Sequence, residues 1–435
     1  MNYLGDALNR RNFLQKTGYG IIGATVLGGV LPAWGMDILS KKSPDKAIHP
    51  GSDKPIELNP LDDATEVKDG RIFTPIRPDS RIGYAIVGLG TLTLNEVLPA
   101  FGACKYSKPV ALVSGHFEKA KKVADQYGIP HSNIYNYEYY DKIRDNPDID
   151  AVYVALPNSM HAEYTIRAAN AGKHVLCEKP MAATSEEAKT MVDACKKVGK
   201  KLMIGYRIQH EPNNRQMMEW VRNKEYGEVK IIESINGQHI GDASQWRLKR
   251  SMGGGALGDV GIYCLNTIRF LLGEEPESVL ASMYSTPGDP RFTEVEETVL
   301  FQLLFPSGVM ANCCGSFGIH QCRRYRCYAD QGGWFGMDPA FPYRGLKMEV
   351  SQARDKMEWK SNPSMGEKNQ FALEMDHFSK CIMEDTEPYT TGEEGLQDMR
   401  IMDAIIESAK TGKAIKLPST GEKDAFRGTQ PQDES

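Results

Sequence analysis

Short runs of consecutive apolar residues alternate with stretches of helical spacing from residue 82 to about residue 204. Ile82-Gly83-Tyr84-Ala85-Ile86-Val87 reads as a strand covered on both faces and runs straight into Gly88-Leu89-Gly90, with a helix predicted over Leu94–Phe101. Val110–Val113, Asp150–Leu156 and His174–Cys177 repeat the strand type, and Ala162–Ala171 reads as a helix closed by Gly172. Such alternation predicts a parallel sheet flanked by helices. Past Gly205-Tyr206-Arg207 the pattern changes. A helical run over Asn213–Lys224 is followed by strand-like stretches at Val229–Ser234, Ser278–Tyr284, Val295–Phe305 and Val309–Cys313, not separated by a helix at each step. They predict a mostly antiparallel sheet. In the third stretch Val299, Phe301, Leu303 and Phe305 share one face while Leu300 and Leu304 share the other, so both faces need a cover: a second copy of the chain, or a helix of its own. Amphipathic helices over Phe371–Cys381 and Leu396–Lys410 should return onto the first domain or beside the sheet.

The two ends read differently. Asn9-Arg10-Arg11-Asn12-Phe13-Leu14-Gln15-Lys16 opens a segment that is uncharged from Thr17 to Met36. Paired arginines before a glycine- and alanine-rich apolar stretch are the pattern of a twin-arginine export signal, here residues 1–35, with a cleavage site near Ala33-Trp34-Gly35. Gly18, Gly20, Gly23, Gly28, Gly29 and Pro32 make the run a poor spanning helix, so no stable membrane anchor is expected after export to the periplasm. Residues 36–80, rich in Pro, Asp and Lys, read as an extended arm. Residues 81–204 form the first domain, 205–417 the second, and 418–435 a loose polar tail.

Composition narrows the function by exclusion. The 435-residue chain exceeds the size of a single core, which agrees with the two domains. A net charge of −5 and no long basic run argue against nucleic acid. The nine cysteines lack zinc-site spacing, so neither a metal site nor a disulfide scaffold is expected, and buried thiols are the plainer reading.

The chemistry gathers at strand ends. At the first strand-to-helix turn Gly88 permits a tight turn and Gly90 a close approach of backbone to a pyrophosphate, which Gly88-Leu89-Gly90-Thr91-Leu92 would line. The third small residue of the glycine fingerprint falls on Thr93, a departure. At the second strand's end Ser114-Gly115-His116 carries no carboxylate, and Lys119 stands nearby. A hydroxyl and a cation suit the 2′-phosphate of NADP; a solvated helix lysine is the alternative. Leu156 ends the Asp150–Leu156 stretch and Asn158 and His161 follow it as candidates for the nicotinamide side, with His161 alternatively just opening its helix. Glu178-Lys179-Pro180 ends the next strand, where Pro180 keeps Lys179 out of helical conformation and aims it at the cleft. In the second domain, Gly253-Gly254-Gly255 precedes a helix predicted over Leu257–Leu272, on which Asp259 and Tyr263 share a face.

Ala85-Ile86-Val87-Gly88-Leu89-Gly90, Leu156-Pro157-Asn158-Ser159-Met160-His161, Glu178-Lys179-Pro180 and Gly253 to Tyr263 together resemble the glucose–fructose oxidoreductase / inositol dehydrogenase (Gfo/Idh/MocA) family. Tyr263, within Gly261-Ile262-Tyr263-Cys264-Leu265-Asn266, and Leu272-Gly273-Glu274-Glu275-Pro276 are similar to the glucose–fructose oxidoreductase branch, while Gln321-Cys322-Arg323-Arg324 departs from it. The resemblance implies an α/β protein with an N-terminal Rossmann dinucleotide-binding domain and a C-terminal α+β domain bearing a large, mostly antiparallel open sheet. It implies Lys179, Asp259 and Tyr263 as catalytic residues, and adds Glu178, Lys179, Arg207, Trp246 and Arg247 to the cofactor-binding set. A tyrosine ordinarily keeps its proton to about pH 10, so the Lys179 ammonium is expected beside the Tyr263 phenol, favouring its ionised form, with Asp259 orienting a sugar. The implied activity uses tightly bound NADP, takes an aldose to its lactone and a second sugar to the alditol in ping-pong order, and works in a homo-oligomer. A sugar dehydrogenase with exchangeable NAD(P), an NAD-dependent glycoside hydrolase and a non-enzymatic sensing module are the competing readings. Cofactor retention, release of a monosaccharide and the intact Lys179, Asp259 and Tyr263 separate them in turn.

Overall fold

The computed structural model describes residues 81–418 and 420–431. The expected export signal and arm lie outside these residues, as do residues 419 and 432–435.

Six strands, β1 (Ile82–Val87), β2 (Ser107–Val113), β3 (Ile134–Tyr135), β4 (Ala151–Val154), β5 (His174–Glu178) and β6 (Leu202–Gly205), form one parallel sheet in the order β3-β2-β1-β4-β5-β6. This is the doubly wound Rossmann order, and its direction reverses between β1 and β4. Every residue of β1 is buried, as an unbroken apolar run requires between two layers of helices. The helical segment after it is wound irregularly, as a π turn over Thr93–Val97, an α turn over Leu98–Ala100 and a 3-10 turn over Phe101–Ala103. Pro99 has no N–H to return to the preceding turn, which accounts for the change of winding.

The second sheet has nine strands: β7 (Val229–Gly237), β8 (Ser278–Tyr284), β9 (Thr298–Leu304), β10 (Met310–Ser316), β11 (Cys322–Ala329), β12 (Gly333–Met337), β13 (Met348–Arg354), β14 (Met357–Ser361) and β15 (Ile415–Lys416). Their order is β14-β13-β12-β11-β7-β10-β9-β8-β15, and all pairs are antiparallel except β7 with β10. Val299, Phe301 and Leu303 are buried in the same core as the helix Ile262–Leu272. On the other face Ile231, Leu280, Tyr284, Leu300, Leu304 and Met310 remain exposed, so no helix among the described residues covers them. All nine cysteines are free thiols, most of them buried.

The helix Gln370–Met383 crosses back to the first domain, where Phe371, Ala372, Met375 and Phe378 join Tyr84, Phe101 and Leu112 in one core. The helix Gly392–Thr411 runs beside β8, with Ser408 Oγ accepting from the Ala281 N–H at 2.9 Å. The tail corrects an expectation. Residues 420–431 are pinned, not loose: Arg427 pairs with the fully buried Glu394 at 2.8 Å, Asp424 pairs with Arg222, and the Gly428 N–H reaches Tyr389 O at 3.1 Å. Polarity in this stretch marks a counter-charge for a buried carboxylate, a role that apolar periodicity does not reveal. Replacing Arg427 by Leu should therefore lower stability by about 3 kcal/mol, read by denaturant titration, because Glu394 loses its partner.

Candidate active site

The β1 turn is built for a phosphate. Gly88 has φ +94°, and a Cβ there would lie 2.4 Å from Ala155 O and 2.8 Å from Leu156 Cδ2, so only glycine fits between β1 and the end of β4. Gly90 faces open space, and no atom would crowd a Cβ there. Thr93, the departure from the fingerprint, turns out to close the turn itself: its buried hydroxyl donates to Gly88 O at 2.7 Å. At the end of β2, Ser114 Oγ accepts the His116 N–H at 3.1 Å, and no carboxylate stands there. Lys119 is largely buried without a hydrogen-bond or ion-pair partner among the described residues, and burial pushes its pKa down. An open glycine turn at a helix start and an unpaired cation one strand away fit a dinucleotide with an added phosphate.

One expected cofactor contact, His161, is corrected, and Asn158 is found at the contact between the domains. His161 is 1% exposed and its ring nitrogens face Pro180 O at 2.9 Å and Leu156 O at 2.8 Å, so it clasps the ends of two strands and has no atom left for a nicotinamide. Burial pushes its pKa down and keeps it neutral. The Asn158 amide donates to Gly253 O at 2.8 Å, and a Cβ on Gly253 (φ +73°) would sit 2.7 Å from Asn158 Cβ. The glycine run therefore serves close contact between the domains at this point.

Across the cleft three elements converge. The strand β5 ends in Glu178 and delivers Lys179, the 3-10 turn Arg207–His210 follows β6, and the π turn Leu257–Gly261 leads into the helix Ile262–Leu272. In that π turn the Ile262 N–H reaches back to Leu257 O, five residues away, and the expected α-helical start is replaced by a wider turn. Lys179 Nζ donates to Asp259 O at 2.9 Å, stands 3.9 Å from Asp259 Oδ1, and lies 4.4 Å from the centre of the Tyr263 ring. Arg207 Nη2 donates to Tyr263 Oη at 3.1 Å and to Phe341 O at 2.6 Å, while its Nη1 is held by Gln370 Oε1. The cation at the phenol oxygen is thus Arg207, placed with the cofactor in the sequence reading, and Lys179 sits on the ring face. Proximity of Lys179 to the phenol is met; direct contact with its oxygen is not. Nothing in the local sequence around Arg207 marks it as the phenol's partner, since the contact is made across 56 residues.

Asp259 is half-buried and held by its neighbours. Its Oδ2 accepts from Arg247 Nε at 3.0 Å and Gln238 Nε2 at 3.2 Å. Burial pushes its pKa up, but Arg247 first and Lys179 next more than offset this and hold it below the usual carboxylate range. The expected cofactor pair Trp246 and Arg247 meets the site here: the Arg247 guanidinium stacks over the Trp246 ring at 4.7 Å and points to Asp259. Tyr153 Oη donates to Glu178 Oε1 at 2.8 Å, and burial pushes the Glu178 pKa up. A phenol between two cations, beside an ionised carboxylate, can take and return a proton while holding a hydroxylated ligand.

Comparison with known proteins bears on the family and the fold. Residues 82–206 match the oxidoreductase family with an NAD-binding Rossmann fold, and residues 214–334 match the GFO/IDH/MocA C-terminal domain. The chain is 33% identical over 347 residues to the D-xylose 1-dehydrogenase [NADP(+)] of Haloarcula marismortui, covering 78% of this chain and 94% of that one. The crystal structure of the aldose-aldose oxidoreductase from Caulobacter crescentus is 46% identical, with a TM-score of 0.74, over 78% of this chain and all of that one. A 3-ketoreductase from Actinomadura kijaniata, solved with NADP and TDP-benzene, is 25% identical with a TM-score of 0.67, over 75% of this chain and 98% of that one.

Proposed function

The chain belongs to the GFO/IDH/MocA oxidoreductase family, and on that premise we propose that it is a periplasmic, NADP-dependent sugar oxidoreductase that retains its nucleotide. It oxidises an aldose to the lactone and reduces a second sugar, fructose or another aldose, to the alditol. The observation that carries this reading is the Tyr263 phenol, with Arg207 at its oxygen and Lys179 on its ring.

The bound nicotinamide supplies the hydride acceptor in one half-reaction and the donor in the next. Tyr263 acts as the base for the proton of the anomeric hydroxyl as that carbon is oxidised, with the Arg207 guanidinium at its oxygen. In the return half-reaction the same phenol gives the proton to the carbonyl oxygen of the second sugar, so the protein ends as it began. Lys179 and Asp259, tied to each other, orient the sugar hydroxyls. Lys119 supports NADP over NAD, because its ammonium lacks a carboxylate partner among the described residues. Export through Arg10-Arg11 supports retention, since a nucleotide acquired in the cytoplasm has no ready pool outside it, and retention supports ping-pong order. The exposed apolar face around Leu300 and Tyr284 supports a second copy of the chain as its cover, hence a homo-oligomer. A second reading, a dehydrogenase with exchangeable cofactor, is favoured by the NADP-dependent xylose dehydrogenase relative.

Purified full-length protein should carry NADP through gel filtration. One aldose should then raise the absorbance of reduced nicotinamide and a second sugar bleach it, without added nucleotide. Nucleotide-free protein that works only with added NADP would decide for the second reading, and bound NAD would overturn the cofactor assignment. Sedimentation should give a dimer or larger species, and Leu300→Asp should shift it toward monomer; a monomeric wild type would end the oligomer proposal.

A further inference from the structure

The helix Gln370–Met383 carries a carboxyl group that the proposed reaction does not use. Glu374 is 0% exposed, and neither of its carboxylate oxygens has a hydrogen-bond donor. The groups acting on it come from three facing elements: Glu178 at the end of β5, Tyr153 on β4 and Arg207 on the turn after β6. Its own helix offers no relief. Asp376 is taken by the Lys105 and Tyr106 N–H groups and the Ser107 hydroxyl, the His377 ring by the Tyr389 N–H, and Gln370, one turn earlier, by Arg207.

Two carboxyl groups in one desolvated region do not both ionise. Their surroundings decide which keeps the proton. Glu178 accepts from Tyr153 Oη at 2.8 Å and from the Lys179 N–H at 3.3 Å, and both Lys179 and Arg207 favour its charge. Arg207 spends its own donors on Tyr263 Oη, Phe341 O and Gln370. A charge on Glu374 would lose its hydration, with only the Tyr153 hydroxyl, already donated to Glu178, near enough to offset the loss. Burial first, and the neighbouring Glu178 next, push the Glu374 pKa well above the carboxylate range.

We propose that Glu374 is a positioning residue that stands as a neutral acid at pH 7, leaving Glu178 as the charged member of this buried pair. The consequence rests on the proposed function: β5 brings Glu178 to the wall that a nicotinamide would face, and a single negative charge there matches the single positive charge of the oxidised ring. The protonation itself needs no nucleotide.

Glu374→Gln tests it, because the amide keeps the volume and cannot ionise. Infrared spectra of the full-length protein at pH 7 should show the stretch of a protonated carboxylic acid that the variant lacks. Linkage gives a second readout. In the unfolded chain Glu374 ionises in the ordinary carboxylate range, whereas in the folded protein it keeps its proton above that range. The folded state then holds the extra proton, so the wild type loses stability as pH rises through this window. Relative to the variant, its unfolding constant should rise by up to about tenfold per pH unit from about pH 5 upward, so the gap in thermal midpoints widens toward pH 8. Glu374→Leu, which also cannot ionise, should show the same widening whatever its absolute stability. An infrared band unchanged in Glu374→Gln, or midpoints that stay parallel from about pH 5 to 8, would overturn the proposal. Neither readout involves nucleotide, so failure of the wild type to bind NADPH would count against the proposed function alone.

Discussion

A phenol can exchange protons with a sugar hydroxyl only if positive charge is fixed close to its oxygen before the substrate arrives, because reorganising charge during the reaction adds to the barrier. In this chain that condition sets the architecture. Lys179 comes from the end of β5, Arg207 from the turn after β6, and Tyr263 from the helix behind a π turn in the other domain. The contact of Lys179 with the Tyr263 ring joins the two domains and does not survive if they shift. The docking is held where the site is: Asn158 to Gly253, Lys179 to Asp259, and the helix Gln370–Met383 lying back across the first sheet with Gln370 on Arg207. Further back, Arg269, on the same helix that presents Tyr263, is wholly buried between Glu275 and Asp398. Such pairs contribute little net stability, but they fix one arrangement of the elements that carry them.

Charge on the cleft floor follows from the same economy of donors. Asp259 has Arg247, Gln238 and Lys179 and is held ionised, whereas Glu178 and Glu374 share a smaller supply. Buried polar groups around the phenol are thus not interchangeable; each is defined by which donors its neighbours have left it.

How much of this was legible in the sequence varied with how local each signal is. The run from Ile82 to Gly90 showed strand, turn and ligand at once, because burial on both faces and the need for glycine at φ +94° are written in consecutive residues. Lys179, Asp259 and Tyr263 were also found, and the structure brings them together. Strands β11 to β14 were missed. Arg323, Arg324 and Arg326 break the apolar alternation of β11, and Gly333 and Gly336 thin that of β12. The place of Arg207 at the phenol, and the role of Glu374, were beyond local reading for another reason: their partners lie far along the chain and meet them only once the whole fold is in place. His161 erred the other way, since a strand-end histidine resembles a ligand until both ring nitrogens are seen on carbonyls. Thr93 looked like a defect in the fingerprint and is a fastening of it.

The measurement that bears most directly on the account is single-turnover hydride transfer in Tyr263→Phe, followed by nicotinamide absorbance in protein shown to hold its nucleotide. Loss of the phenol oxygen should slow the step by about a hundredfold to ten-thousandfold, with nucleotide still bound. Transfer at close to the wild-type rate would mean that the proton goes elsewhere and that the Arg207–Tyr263–Lys179 arrangement is not the seat of the chemistry.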